Sequence, residues 1–139
     1  MLTLLICFSN TSCISDDDNN NWNNTLQETI ENDTQSGTWR ITKFIDSDID
    51  ETSDFSGYNF TFNRTGRLNA SNGPNSFEGT WNISSEGSDL NDLELNILMN
   101  PFDDLTDDWD FISQTSTKIE LIDISGDAEP DDLLTFERN

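Results

Sequence analysis

Short runs in which every second residue is apolar begin at Gly37 and continue almost to the end of the chain. Alternation with a period of two is typical of β-strands that bury one face and expose the other. A further short strand is predicted over residues 67–70, because turn signals flank it at Thr65-Gly66 and Asn72-Gly73-Pro74. The seven alternating runs and this additional strand together give eight predicted strands. The apolar residues of the seven runs are Trp39 and Ile41; Tyr58, Phe60 and Phe62; Phe77, Trp81 and Ile83; Leu93, Leu95 and Ile97; Trp109 and Phe111; Ile119 and Leu121; Leu134 and Phe136.

The spacing of these runs predicts antiparallel neighbours. Successive strands begin roughly 8–15 residues apart, which leaves no room for helical crossovers. Eight short amphipathic strands fit either a sandwich or an up-and-down barrel, and the alternation itself does not distinguish the two. A propeller is disfavoured: the phrase GTWRI at 37–41 recurs as GTWNI at 79–83, but the chain is too short for four blades.

The N-terminal segment has the features of a targeting signal. Residues 2–8 form an apolar run of about seven residues, whereas a membrane-spanning helix needs about 20. Thr11-Ser12-Cys13 resembles a bacterial lipoprotein lipobox, and SDDD at 15–18 resembles the acidic surface-export signal of Bacteroidetes lipoproteins. The resemblance implies a signal peptide over 1–13, lipidation of Cys13 and a position at the cell surface, anchored by lipid in the outer membrane.

Residues 14–35 predict a flexible, disordered tether, because they are rich in Asn, Asp and Thr and contain few residues that could build a core. Leu26 and Ile30 are spaced i, i+4, so a helical turn in this segment is the alternative. The predicted organisation is therefore a signal peptide over 1–13, a linker over 14–35 and a single β domain over 36–139.

The charge of the chain excludes several classes of partner. It contains 28 acidic residues, 6 basic residues and no His, which gives a formal net charge of -22. Nucleic acids and anionic membrane surfaces both require clustered Lys and Arg, so we expect neither as a partner. The absence of His, and the position of Cys7 and Cys13 before the β domain, disfavour metal and thiol chemistry. We therefore expect a protein that is not an enzyme and has no cofactor.

Three acidic clusters fall in predicted loops, at residues 46–51, 103–110 and 126–132. Asp46, Asp48 and Asp50 match the first three ligand positions of an EF-hand calcium loop. Glu51 stands where that loop requires Gly, and Gly57 stands where it requires Glu. A solvated acidic surface is the main interpretation, and calcium binding is a weaker alternative.

The β domain resembles the lipocalin-like lipoproteins of Bacteroidetes over residues 36–139. The similar segments are GTW at 37–39, YNFTFNRTGR at 58–67, FEGTWNI at 77–83 and LLTFERN at 133–139. The resemblance implies a small eight-stranded antiparallel up-and-down barrel. It also implies that Trp39 lies at the closed end, that Arg138 packs across it, and that Gly37 permits the close approach of the chain.

Six aromatic residues on the predicted inward face give two hypotheses for function. They either line a pocket for a small hydrophobic molecule or fill a solid barrel whose loops contact protein or glycan at the cell surface. The resemblance to lipocalins favours ligand binding in the barrel, and the solid interaction module is the alternative. The six residues are Trp39, Phe60, Phe62, Trp81, Trp109 and Phe111.

Overall fold

The computed structural model describes residues 29, 31–84, 92–126 and 128–139. In this part of the chain, nine antiparallel strands form one sheet. The predicted signal peptide, Cys13, Leu26 and Ile30 lie outside the described residues. Within this part of the chain, no helix is long and apolar enough to cross a membrane. The strands are β1 (Trp39–Asp46), β2 (Ile49–Asp50), β3 (Asn59–Phe62), β4 (Arg67–Asn72), β5 (Asn75–Ser84), β6 (Asp92–Asn96), β7 (Asp107–Gln114), β8 (Lys118–Asp123) and β9 (Asp132–Arg138).

The sheet closes into a barrel because β1 also pairs with β9. Their register runs from the Trp39–Arg138 pair to the Ile45–Leu133 pair. From β3 to β9, each strand pairs with the next one in sequence, so the connections are up and down. The predicted eight-stranded antiparallel barrel is therefore confirmed, and β2 is an additional short strand attached to the end of β1.

The up-and-down order gives the barrel two ends with different connections. The cap end contains residues 31–36, the turns at 63–66 and 115–117, and the C-terminus. The loop end contains residues 47–58, the turn at 73–74, residues 97–106 and the connection between β8 and β9. Two 3₁₀ helices, Thr52–Phe55 and Phe102–Leu105, lie at the loop end.

The interior of the barrel is one hydrophobic cluster built from the inward positions of the strands. β3 shows how alternation produces it, because Phe60 and Phe62 are buried while Asn59 is exposed. The two 3₁₀ helices contribute Phe55, Phe102 and Leu105 to the same cluster. These residues come from segments without strand alternation, so the sequence pattern did not assign them to the core.

The polypeptide is already structured before residue 36, the predicted start of the domain. Residues 31–35 are helical, and Thr34 is fully buried against the cap end. These five residues, at the C-terminal end of the predicted linker over 14–35, are therefore ordered against the barrel. The backbone of this polar segment accepts hydrogen bonds from two side chains, the nearby Trp39 of β1 and the distant Arg138 of β9.

The two similar segments at 37–41 and 79–83 require glycine for different reasons. Gly37 precedes β1 with φ +71, a left-handed conformation, and lies beside the Arg138 side chain. Gly79 lies in β5, where a Cβ atom would overlap with the carbonyl oxygen of Asn96. The repetition therefore results from two local backbone requirements in one sheet and does not mark a structural repeat.

Candidate functional site

The six aromatic side chains predicted to face inward are all buried. Trp39 and Phe60 have no exposed surface, and the most exposed of the six, Phe111, retains 8%. The rings pack edge to face, with Phe62 5.5 Å from both Trp81 and Phe136 between ring centroids. This geometry is the favoured arrangement for aromatic pairs in a packed core.

Each indole N–H in the barrel is satisfied by a main-chain carbonyl. Trp39 Nε1 donates to the oxygen of Thr34 at 2.8 Å, and Trp81 Nε1 donates to that of Asn63 at 2.8 Å. Trp109 Nε1 donates to the oxygen of Leu105 at 3.0 Å. The bonds of Trp39 and Trp81 hold main chain at the cap end, and the bond of Trp109 holds main chain at the loop end. None of the three indole N–H groups is left free to orient a ligand.

Phe102 closes the loop end, where a lipocalin-like calyx would open. Its ring centroid lies 4.9 Å from that of Tyr58, 5.1 Å from Phe77 and 5.8 Å from Phe55. Tyr58 and Phe77 are half-buried and form the outer edge of this cluster. The mouth of the barrel is thus closed by aromatic rings from the two 3₁₀ helices and the adjoining strands.

The predicted calyx is occupied by the protein's own side chains. A cavity that could hold a ligand would leave accessible surface on the residues around it, yet Leu68, Leu93 and Ile119 in the interior have none. Two depressions formed by described residues lie elsewhere: one of about 260 Å³ on the outer wall of β5, β6 and β7, and one of about 100 Å³ beside the 63–66 turn.

Arg138 and Trp39 form the centre of the cap end. The Arg138 guanidinium carbon lies 5.0 Å from the centroid of the Trp39 ring, within the range of a cation–π contact. Arg138 Nη2 also donates to the Asp33 carbonyl oxygen at 2.8 Å. Gly37 lies against the same side chain, where a Cβ would be 3.7 Å from Arg138 Cδ. The three residues named from the lipocalin resemblance are therefore in mutual proximity.

The helical segment 31–35 completes this closure and was not identified as part of it from the sequence. The Asp33 carboxylate accepts a hydrogen bond from Gln114 Nε2 at 3.1 Å, and Gln35 Oε1 accepts one from Arg64 Nε at 3.3 Å. These contacts attach the segment to β7 and to the 63–66 turn. Polar residues in a polar stretch give no periodic signal, so only the tertiary structure identifies them.

Asp46, Asp48 and Asp50 lie in and beside a β-hairpin turn. Ser47 and Asp48 have φ angles of 50° and 68°, as in the tight turn of a two-residue hairpin that joins β1 to β2. Asp50 accepts hydrogen bonds from the backbone N–H and hydroxyl of Thr52. Across the described ranges, no three acidic or thiol side chains are grouped in a way that could hold a metal ion. The EF-hand-like spacing therefore reflects a hairpin.

Acidic side chains from separate loops meet at the loop end. Partial loss of solvent raises the pKa of Glu51, and the negative charges of Asp46, Asp104 and Asp54 raise it further. The pKa of Asp104 is raised by desolvation and by its acidic neighbours in the same way. The acidic clusters at 46–51 and 103–110, which are far apart in sequence, are thus brought close enough to repel each other.

A second group of carboxylates lies at the same end, where β7, β8 and β9 begin or finish. Burial raises the pKa of Asp123, followed by the charges of Asp107 and Asp132, a hydrogen bond with Asp107, and the charge of Asp110. The Asp132 carboxylate also accepts a hydrogen bond from the Ser47 backbone N–H at 2.8 Å. This bond connects the second acidic group to the β1–β2 turn.

The charges are distributed unequally along the barrel axis. The basic residues lie on the strands or near the cap end, and none lies in the connections of the loop end. Because the acidic loops meet at the opposite end, the barrel is strongly negative at one end and mixed at the other. The 6 basic residues of the chain are Arg40, Lys43, Arg64, Arg67, Lys118 and Arg138.

Large apolar side chains are exposed mainly at the loop end. Leu98 is 79% exposed and Met99 is 55% exposed, in the segment that follows β6. Ile49 in β2 and Ile124 after β8 are 60% and 63% exposed. The other large apolar residue of comparable exposure in the described ranges is Ile112, which lies at a register shift in β7.

Comparison with known proteins supports the fold. No protein-family model matches this chain, and no curated protein is significantly similar to it. Its structure is similar to the crystal structure of a DUF4847 family protein from Bacteroides vulgatus, with a TM-score of 0.52 and 19% sequence identity. The similarity covers 79% of this chain and 97% of the other. At this identity the likeness concerns the barrel alone, and lipoprotein character stays a prediction.

Replacement of Arg138 by Ala should destabilise the protein by about 1–3 kcal/mol, because the stacking on Trp39 and the packing of the side chain are lost. Chemical denaturation of the purified protein measures this change in the free energy of unfolding. Arg67→Ala is the matched control, since the Arg67–Glu78 ion pair is 3.5 Å long and about two-thirds exposed, and should cost only about 0–1 kcal/mol. Equal losses for the two variants would contradict a structural role for Arg138.

Replacement of Asp123 by Asn should raise the thermal unfolding temperature at neutral pH. The raised pKa of Asp123 means that the folded state binds its proton more tightly than the unfolded state, so this group's stabilising effect is present at low pH and lost as pH rises through the raised pKa. The amide removes the charge and can still donate to Asp107. The difference between variant and wild type should therefore shrink as the pH is lowered from about 8 to about 4.

Glu120→Gln is the control of opposite sign for this titration. A hydrogen bond from Ser113 and the neighbouring Lys118 lower the pKa of Glu120, so its ionised form stabilises the folded state. Glu120→Gln should lower the unfolding temperature at neutral pH. A decrease for both variants would show that repulsion around Asp123 is not the dominant effect there.

Proposed function

We propose that this chain is a non-catalytic interaction module of the bacterial cell surface, in which a solid barrel presents its loop end to a partner. The observation on which this proposal depends is the filled interior, which is closed by Phe102 at one end and by Trp39 and Arg138 at the other. An eight-stranded barrel either holds one small ligand or is filled by its own side chains, and the buried core residues of this barrel support the second arrangement. Surface contacts are therefore the available route to recognition.

Lipid anchoring at Cys13 is the second part of the proposal. It is supported by the lipobox resemblance and by the acidic residues that follow the cysteine. The described chain enters the barrel at the cap end, through residues 31–36. An anchor upstream of this segment would leave the loop end on the far side of the barrel from the membrane, where a partner can reach it.

The absence of catalysis is proposed from the composition of the chain. It has no His, and both cysteines precede the barrel, so the common general base and the common activated nucleophile are missing. The alternative function, binding of a small hydrophobic molecule inside the barrel, would require displacement of packed aromatic side chains. The packing of Phe62 against Trp81 and Phe136 weighs against that alternative.

Titration with the neutral apolar dye Nile red should show no saturable uptake into the barrel, because the described core residues pack against one another and would have to be displaced. Fluorescence of the dye measures binding directly. Adsorption to the loop end is separated from uptake by the double variant Leu98→Ser, Met99→Ser, which removes two exposed apolar side chains and leaves the core unchanged. Saturable binding that persists in this variant would overturn the solid-barrel proposal.

Substitution of Cys13 by Ser should move the protein from the membrane fraction to the soluble fraction of bacterial cells, because the acyl chains can no longer be attached. Cys7→Ser is the matched control and should leave the protein in the membrane fraction. Fractionation followed by immunodetection measures both. Membrane retention of Cys13→Ser equal to that of wild type would contradict the lipid anchor.

A further inference from the structure

Apolar side chains at the loop end belong to loops that are held together. The Ser47 N–H binds the Asp132 carboxylate, which attaches the β1–β2 turn to the start of β9. The rings of Phe55 and Phe102, 5.8 Å apart, attach the two 3₁₀ helices to each other. The exposed apolar residues of these loops, which are Ile49, Leu98, Met99 and Ile124, therefore all belong to the loop end of the barrel.

Such a concentration is unusual for a chain with so few apolar residues. Isolated exposed apolar side chains are normal in soluble proteins, whereas several on one surface indicate an interaction site. Only 32% of this chain is apolar, and its charge of -22 already favours solubility. Of the large, well-exposed apolar residues in the described ranges, only Ile112 lies away from this end.

The charge around these apolar residues determines the chemistry of the occupant. Desolvation and the charges of neighbouring carboxylates raise the pKa values of Glu51, Asp104 and Asp123, and no basic residue lies in the connections of the loop end. A cationic partner would relieve this repulsion. A second copy of this acidic chain, an anionic lipid surface or a nucleic acid would increase it.

A depression lined by carboxylates on the outside of the barrel can accept a cationic side chain. It has a volume of about 260 Å³ and lies on the outer wall of β5, β6 and β7, bordered by Asn96 just before the 97–106 segment. Glu94, Asp107 and Asp108 supply carboxylates to its lining, and Asn82 supplies an amide. A Lys or Arg inserted there would lie among hydrogen-bond acceptors of opposite charge.

We propose that the loop end binds a protein segment in which Lys or Arg residues flank apolar side chains. The apolar side chains of the segment pack against Leu98, Met99, Ile49 and Ile124, and its basic groups face the surrounding carboxylates and the outer-wall depression. This inference rests on the proposed function as an interaction module and specifies the surface and the class of partner. Burial of the apolar side chains provides affinity, and the charges provide orientation and a faster association.

Isothermal titration of the purified protein with a synthetic amphipathic helix of Lys and Leu tests this inference. We expect saturable binding that weakens as the salt concentration is raised. The double variant Leu98→Ser, Met99→Ser should bind about tenfold more weakly, which corresponds to about 1.4 kcal/mol. Ile112→Ser is the matched control, because its side chain is as exposed as that of Met99 but lies on the barrel wall, and it should bind like wild type.

The contribution of charge is tested with the double variant Glu51→Gln, Asp104→Asn. This variant should bind the same peptide more weakly and should depend less on salt. Glu137→Gln, at the opposite end of the barrel, should change neither. Two further peptides separate the apolar contribution from the charge contribution. A Lys and Ser peptide lacks the apolar residues, and a Glu and Leu peptide lacks the positive charge. Both should bind at least about tenfold more weakly than the Lys and Leu peptide.

Three results would overturn the inference: no binding of the Lys and Leu peptide, equal binding of the Lys and Ser peptide, or equal loss of affinity in Ile112→Ser and the Leu98→Ser, Met99→Ser variant. None of these results affects the solid-barrel proposal. That proposal fails only if Nile red enters the barrel interior. The two failures are therefore distinguished by separate measurements on the same preparation.

Discussion

Closure of the sheet depends on β1, whose two edges pair with neighbouring strands over very different lengths. It pairs with β9 along most of its length but with β3 at a single register pair, Trp39 with Phe60. Beyond that pair, β2 and the start of the first 3₁₀ helix take the place of β3. β2 pairs with the end of β1, the Glu51 N–H donates to the Phe44 carbonyl, and the Thr52 hydroxyl accepts from the Phe44 N–H. The barrel is thus continuous because a loop supplies hydrogen bonds that a sheet neighbour would otherwise provide.

The same arrangement explains why the interior is solid. Closing the gap beside β1 brings Phe55 against Phe44, with ring centroids 5.3 Å apart, and Phe55 in turn packs on Phe102. The residues that complete the wall therefore also fill the mouth. A barrel built in this way gains stability from its aromatic core and gives up the internal volume that a ligand carrier needs. The residues that could recognise a partner lie on the outside of the barrel, where acidic and apolar residues are concentrated at one end.

The sequence predicts those parts of the molecule whose signal is local. Alternation placed Phe60 and Trp81 on the inward face, and similarity to lipocalins paired Trp39 with Arg138. Phe55 and Phe102 could not be assigned from pattern, because they stand among acidic residues in segments without alternation. The place of residues 31–35 at the cap end depends on tertiary contacts such as the Arg138–Asp33 bond, which joins residues 105 positions apart. The meeting of the acidic loops follows from the up-and-down order, which alternation alone does not fix.

The pairing of the first strand with the last has a consequence for how the protein is made. Arg40 binds the carbonyl of Arg138 across 98 positions of sequence, so this part of the wall cannot exist until β9 has been synthesised. A growing chain contains hairpins but no closed barrel, and long-range contacts of this kind form slowly. Formation of the closed barrel therefore waits for the encounter of β1 with β9, which makes this pairing a late step of folding.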